Sequence, residues 1–299
     1  MLKYLAAFLL FFSFNASAER PAFKIDQTGL YLKNYTTDGL KKMFNDLGYD
    51  SYIDLPNDEY PRIFVQNIPS DFALFEDKTL RNRYFMQILI PLILKVNEEI
   101  SQEREMLEAL EYHFEQNKDF DDMDVYFLDQ LASKYDVFTH FKDTRKYIYI
   151  INELKEKIDI IPPSIVIASA AVHTDWGTSR IAIKANNLFK LRLWYTNEGL
   201  EPLEDQEEGY RYEIFNNLEE SIKAYALKLN SNVNYKTFRQ ARAVARKRGG
   251  VLYGKRMDFS LVLDSNLTNY AGLIDYTLTY YKLHYIDRAH LEDEHQFKD

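Results

Sequence analysis

Apolar residues recur at three-and-four spacing from about residue 72 to residue 114, where Leu89, Ile93, Val96 and Ile100 share one face and no glycine interrupts. The pattern predicts one long helix, kinked at Pro91. Two shorter helices are predicted over about 123–135 and 144–158, separated by turns rich in Asp and Lys. Residues 19 to about 70 carry the turn clusters Asn45-Asp46-Leu47-Gly48 and Leu55-Pro56-Asn57-Asp58 without a sustained period, and read as irregular. The run Ile160-Ile161-Pro162-Pro163-Ser164 marks a boundary, since proline suits the first turn of a helix. Ile165 to Val172 is apolar on nearly every side, which predicts a helix inside the molecule, ended by Trp176-Gly177. Residues 191–215 alternate aromatic and polar side chains and predict a short β-hairpin lobe. Leu218, Ile222, Tyr225, Ala226 and Leu229 restore the helical period, and further helices are expected over 235–248 and 259–285, before a charged, frayed tail at 289–299.

The fold class that follows is mainly α (α+β), with a helical region at 19–159, a second domain at 160–288 and a minor β element. At 299 residues with 46% hydrophobic side chains, the chain is long enough to bury a full core. Residues 1–18, MLKYLAAFLLFFSFNASA, join a charged start at Lys3, an apolar stretch from Leu5 to Phe12 and the small-x-small triplet Ala16-Ser17-Ala18, and predict a signal peptide cleaved after Ala18. The stretch is short of the ~20 residues of a spanning helix, as is Ile88–Leu94, so no stable membrane span is expected after cleavage and the periplasm is the expected location. Cleavage leaves 36 basic residues against 46 acidic ones, a net charge of −10 that disfavours a nucleic-acid partner. With no cysteine, disulfides, thiolate metal sites and thiol nucleophiles are excluded, and no cofactor or metal is expected.

The stretch Ala170-Ala171-Val172-His173-Thr174-Asp175-Trp176-Gly177-Thr178-Ser179-Arg180 places a histidine, a carboxylate and one of the two tryptophans at the end of the buried helix. His173 is either a packed imidazole bonded to backbone or a proton donor; Asp175 stands two residues on and points to another helix face, which disfavours a shared metal. Asp175 is a candidate catalytic residue as a displaced proton donor, though more simply a turn residue, and Trp176 is more simply a core plug than a sugar platform.

Ile161-Pro162-Pro163-Ser164, Trp176-Gly177-Thr178-Ser179-Arg180 and Asn186-Asn187-Leu188-Phe189, followed by "FNNLEESIKAYALKLNSNVNYKTFRQARAVAR" and "LVLDSNLTNYAGLI", resemble the glucosaminidase domain of the bacterial Bax-like proteins from about Ile161 to Tyr285. The resemblance implies a lysozyme-like fold with a sugar cleft between a helical lobe and a hairpin, and a peptidoglycan glycan strand as the partner. It also implies a catalytic Glu in Ala-Ala-x-Glu-Ser-Gly-Trp-Gly, at the position held here by His173. Thr174 and Asp175 depart from the same motif. A glutamic acid there would be raised in pKa by burial and by the helix end, whereas an imidazole is acidic only as a cation. The resemblance places a second carboxylate in the hairpin lobe, where Glu213 is the best candidate beside the acidic run Glu204-Asp205-Gln206-Glu207-Glu208. Trp176, Asn187, Tyr195 and Tyr212 are the expected glycan-contacting residues, with Tyr210 and Tyr235 as further candidates; Asn186 and Asn187 also suit holding the cleft floor through backbone bonds. Arg239, Arg242 and Arg246 form a basic stripe whose simplest reading is a solvated helix face. Two functions remain open: a hydrolase with an altered proton donor, and a non-catalytic glycan-binding or scaffolding protein that keeps the cleft.

Overall fold

The structure, a computed structural model, describes residues 20–53, 55–117, 119–203, 209–261 and 269–294; the expected signal peptide and the acidic run 204–208 lie outside them. The chain runs β1 (Ala22–Asp26), β2 (Gly29–Lys33), α1 (Thr37–Asp46), β3 (Glu59–Tyr60), β4 (Ile63–Val65) and α2 (Lys78–Asn117). It continues through α3 (Asp122–Lys134), α4 (Arg145–Lys157), α5 (Pro163–Thr174), α6 (Arg180–Ala185), β5 (Arg192–Trp194) and β6 (Tyr210–Tyr212). The last elements are α7 (Leu218–Ser231), α8 (Lys236–Lys247), α9 (Tyr270–Tyr280) and β7 (His290–Leu291).

The axis of the molecule is α2, 40 residues or about 60 Å long. Leu89, Ile93, Val96 and Ile100 are buried as their spacing predicts, and Phe85, Met86, Ile88, Ile90 and Leu92 are buried with them, because the N-terminal sheet, α5 and α7 surround this part of the helix. Pro91 sits inside it. Its missing N–H leaves the carbonyl of Gln87, one turn earlier, without its helical donor, and the Tyr49 hydroxyl donates to that carbonyl at 3.2 Å while the Gln87 amide donates back to the Tyr49 carbonyl at 2.9 Å. The helix therefore continues through its proline.

The region expected to be irregular contains a sheet. β2 pairs antiparallel with β1 and parallel with β4, with Leu30, Leu32, Ile63, Phe64 and Val65 all buried. These strands are three to five residues long, too short for an alternation to stand out. Gly29, at φ 151°, opens β2 where a Cβ would lie 2.5 Å from the Arg62 carbonyl, so the β2–β4 approach requires glycine there. The tail also departs from expectation: β7 pairs parallel with β3, Leu291 is buried, and the Glu292 amide donates to the Tyr60 carbonyl. The segment around Leu291 is thus tied to the N-terminal region through a separate two-stranded sheet. The expected helix over 259–285 is divided instead into a short turn at Asp258–Leu261 and α9, whose N-cap Asn269 adopts a left-handed conformation.

The basic stripe on α8 is the largest correction. Arg239 and Arg242 are 3% and 1% exposed, and Arg242 donates to the carbonyls of Glu156, Lys157, Asp159 and Ile160 and to the Asn230 amide oxygen. Glu156 and Lys157 end α4 and Asp159 and Ile160 follow it, so the guanidinium caps a helix C-terminus from a neighbouring helix. Arg246 alone remains exposed, and it pairs with Asp159. One continuous core joins residues of the N-terminal region to α5, α7 and α9.

Candidate functional site

α5 starts on Pro163 at its first position and is buried along almost its full length. Its N-terminus is held by Asp287, whose carboxylate accepts from the Ser164 amide (2.9 Å), the Ser164 hydroxyl (2.8 Å) and the Gly254 amide (2.9 Å). Burial pushes the Asp287 carboxyl up to about 6, against the opposing pull of those donors. Because the folded state holds this proton more tightly than an ordinary Asp at 3.8, the group's stabilising contribution is complete below about pH 4 and is lost as pH rises through about 6. The expected loss is on the order of 3 kcal/mol. Denaturation midpoints of the wild type and Asp287→Asn should therefore diverge in their pH slopes between about pH 4 and pH 7. Parallel slopes would refute this assignment.

At the other end the helix stops abruptly. Thr174 Oγ1 donates to the Ala170 carbonyl at 2.6 Å and accepts from the Gly177 amide at 2.9 Å. Asp175, Trp176 and Gly177 then adopt φ of 48°, 57° and 81° in succession. A left-handed conformation is an outlier for a side chain as bulky as tryptophan and persists only where packing over-determines it. Trp176 is fixed by an edge contact with Phe85 of α2 (centroids 5.9 Å) and by Tyr281 (4.4 Å). Ser179, whose side chain accepts from the Ala182 amide at 3.2 Å, then starts α6.

His173 lies one turn back from this corner, 4% exposed, with its ring 5.2 Å from that of Tyr270 at the start of α9. The two come from elements far apart in sequence, and α9 packs along α5. Asp175 is exposed, and its carboxylate accepts from the Thr178 hydroxyl at 3.2 Å, as a turn residue would. Trp176 is half-buried among the rings just named.

The hairpin is anchored by Asn187, which is fully buried and donates to the carbonyls of Leu191 and Glu213, both at 2.9 Å. Its amide is consumed by backbone, so it supports the floor and does not face a glycan. Asn186 donates to the Phe215 carbonyl at 3.0 Å. β5 and β6 pair antiparallel, Arg192 opposite Tyr212 and Trp194 opposite Tyr210. Trp194 is 50% exposed and Tyr195 93% exposed, and with half-buried Tyr212 they form an aromatic face backed by Tyr210. The Arg192 guanidinium lies 4.0 Å from the Tyr210 ring centre. A cavity of about 340 Å³ opens here, lined by Tyr195, Asn197, Glu201, Tyr210 and Arg211. Glu213, at the return of β6, is half-buried, and burial pushes its carboxyl up. Tyr235 is 2% exposed and belongs to the core, not to a groove.

Sequence reasoning passed over Trp194, although it is the second of only two tryptophans and stands at the edge of the aromatic stretch. It also missed Phe85, Asn82 and Tyr281, whose places beside Trp176 depend on how α2 and the segment after α9 pack. Among the described residues no cluster of three or more His, Asp or Glu is placed to hold a metal ion, and no helix is long and apolar enough to cross a membrane.

The stretch that contains this corner, the hairpin and α7–α9 matches a known family profile. Residues 149–282 match Glucosaminidase, described as mannosyl-glycoprotein endo-beta-N-acetylglucosaminidase. This stretch, a little under half of the chain, is similar to a glucosaminidase domain. Protein bax of Escherichia coli (strain K12) is 32% identical over 177 residues, which cover 59% of this chain and 61% of that protein. The catalytic domain of the autolysin Auto from Listeria monocytogenes overlays at a TM-score of 0.32 and 17% identity, covering 57% of this chain and 96% of that domain. The matching stretch thus begins within α4 and includes the helix-end corner and the aromatic hairpin together.

Proposed function

We propose that this is an exported, peptidoglycan-directed member of the endo-β-N-acetylglucosaminidase family that holds glycan strands without cleaving them through the family's usual acid. One observation carries the reading: His173, at the position where the resemblance expects that acid, is buried with its ring against Tyr270. A general acid must come within hydrogen-bond reach of the oxygen it protonates, and the imidazole here is packed beside Tyr270 with 4% of the residue exposed. Asp175 does not replace it, being an exposed turn carboxylate beyond the helix end. What supports glycan binding is the aromatic face of the hairpin, since the flat apolar sides of hexosamine rings stack on exposed Trp and Tyr.

Mature protein is expected to sediment with purified peptidoglycan, and a Trp194→Ala/Tyr195→Ala double variant to bind about tenfold more weakly, as befits two stacking contacts together worth roughly 1.4 kcal/mol. Unchanged sedimentation of the double variant would remove the hairpin from the binding site, and no sedimentation of the wild type would overturn the reading. A second reading rests on Glu213, whose carboxyl is raised by burial in the manner of a general acid. It requires glycan cleavage that Glu213→Gln abolishes and His173→Ala leaves intact.

A further inference from the structure

Arg81 and Asn82, near the start of α2, each carry a buried polar atom without a partner. Arg81 is 8% exposed, its Nε has no hydrogen-bond partner, and among the described residues no ion pair reaches its guanidinium. The other buried arginines have acceptors for their terminal nitrogens: Arg62 donates to Glu98 at 2.8 Å and 3.1 Å, Arg239 donates through Nη1 to the carbonyls of Leu229 and Asn232 although its Nε too is without a partner, and Arg242 donates to five acceptors. Asn82 is 6% exposed; its amide nitrogen donates to the Tyr281 hydroxyl at 2.8 Å, and its Oδ1 has no partner.

Helical spacing ties both to the site. Arg81 and Asn82 stand four and three residues before Phe85, so all three share one face of α2. Phe85 touches Trp176 and lies where a Cβ on Gly177 would be, 2.7 Å away. Tyr281, which Asn82 holds, lies 4.4 Å from Trp176, centroid to centroid. The corner thus offers a guanidinium without an anion, an amide oxygen without a donor, and two rings.

We propose that Arg81 and Asn82, beside Trp176 and Tyr281, form a subsite for a carboxylate carried on the glycan's 3-O-lactyl arm. The guanidinium would take the carboxylate in a forked pair, Asn82 Oδ1 would accept from a sugar hydroxyl or acetamido N–H, and the rings would take the apolar face. Among the described residues Arg81 has no counterion, and a ligand that supplies the anion gains a charge-assisted pair there. The lactyl carboxylate is free on a strand stripped of its stem peptides; on an intact strand the stem's own carboxylates hang from the same arm. This assignment rests on the peptidoglycan-directed reading above.

Calorimetric titration of the full mature chain separates the cases. The probes are the N-acetylglucosaminyl–N-acetylmuramic acid disaccharide, the same disaccharide carrying a tetrapeptide stem, and chitobiose. The wild type is expected to bind one or both acidic probes at least tenfold more tightly than chitobiose, the probe that wins identifying the carboxylate. Arg81→Met and Arg81→Gln should abolish that preference while retaining chitobiose affinity, and Arg81→Met should melt at or above the wild-type temperature, since it removes an uncompensated charge. A preference that survives both variants overturns the subsite. So does a wild type that binds all three probes equally while still sedimenting with peptidoglycan. Variants that melt well below the wild type and lose chitobiose binding too would make Arg81 structural and overturn it as well. If the wild type binds neither probes nor peptidoglycan, the functional reading falls and takes the subsite with it.

Discussion

Replacing Arg242 by methionine is expected to lower the free energy of unfolding by about 4 kcal/mol, a large fraction of the 5–15 kcal/mol that holds a typical domain together. The methionine fills much of the volume, so the loss is not one of packing. It comes from the carbonyls of Glu156 and Lys157 at the end of α4, those of Asp159 and Ile160 just past it, and the Asn230 amide oxygen, all accepting from a guanidinium on a residue 1% exposed. Buried acceptors stripped of their donor bear the full cost of desolvation. Arg242→Lys should recover little, because a single ammonium cannot address five acceptors spread around a planar fork. Burial lowers the Arg242 pKa to about 10, which still leaves the group charged at neutral pH. Chemical denaturation of the two variants provides the check. A loss below about 1 kcal/mol for methionine would show that the carbonyls find other donors.

Gly177→Ala is the second large effect, and it reaches the site directly. At φ 81° an alanine is strained by roughly 1–2 kcal/mol, and its Cβ would sit 2.7 Å and 2.9 Å from two atoms of the Phe85 ring. Relieving that overlap moves Phe85 or the turn, at a further cost of about 1–3 kcal/mol. Because Phe85 and Trp176 are in contact, near-ultraviolet circular dichroism should change together with the stability, whereas Gly249→Ala, at a left-handed position with nothing within 4 Å, should show the backbone strain alone. Equal losses in the two variants would mean that the Phe85 contact is unimportant.

Much of the frame was legible before any coordinates. The all-round apolar character of α5, the prolines at its start, the long period of α2 and the aromatic alternation of the hairpin each report burial on a local pattern, and each is where the pattern places it. The N-terminal sheet was not legible, because β2 pairs with β4 across a helix and a turn, and a three-residue strand carries almost no alternation. The arginines of α8 misled for a different reason. A charged stripe at helical spacing reads as solvated unless one knows that the carbonyls closing α4 lie opposite it. At the site, the motif residues were identifiable but not their exposure: what covers His173 is Tyr270 from α9, and what steadies Trp176 comes from α2 and from Tyr281. Proximity between distant segments decides which side chains meet solvent, and no local pattern encodes it.

The central proposal is that an imidazole packed against Tyr270 stands where the resemblance to glucosaminidases expects the proton donor. New reducing ends released from purified peptidoglycan, measured from about pH 5 to about pH 8 for the wild type and His173→Ala side by side, test it most directly. The account predicts that the wild type sediments with the glycan and releases no product at any pH in that range. Product that appears with the wild type and disappears with His173→Ala would contradict it.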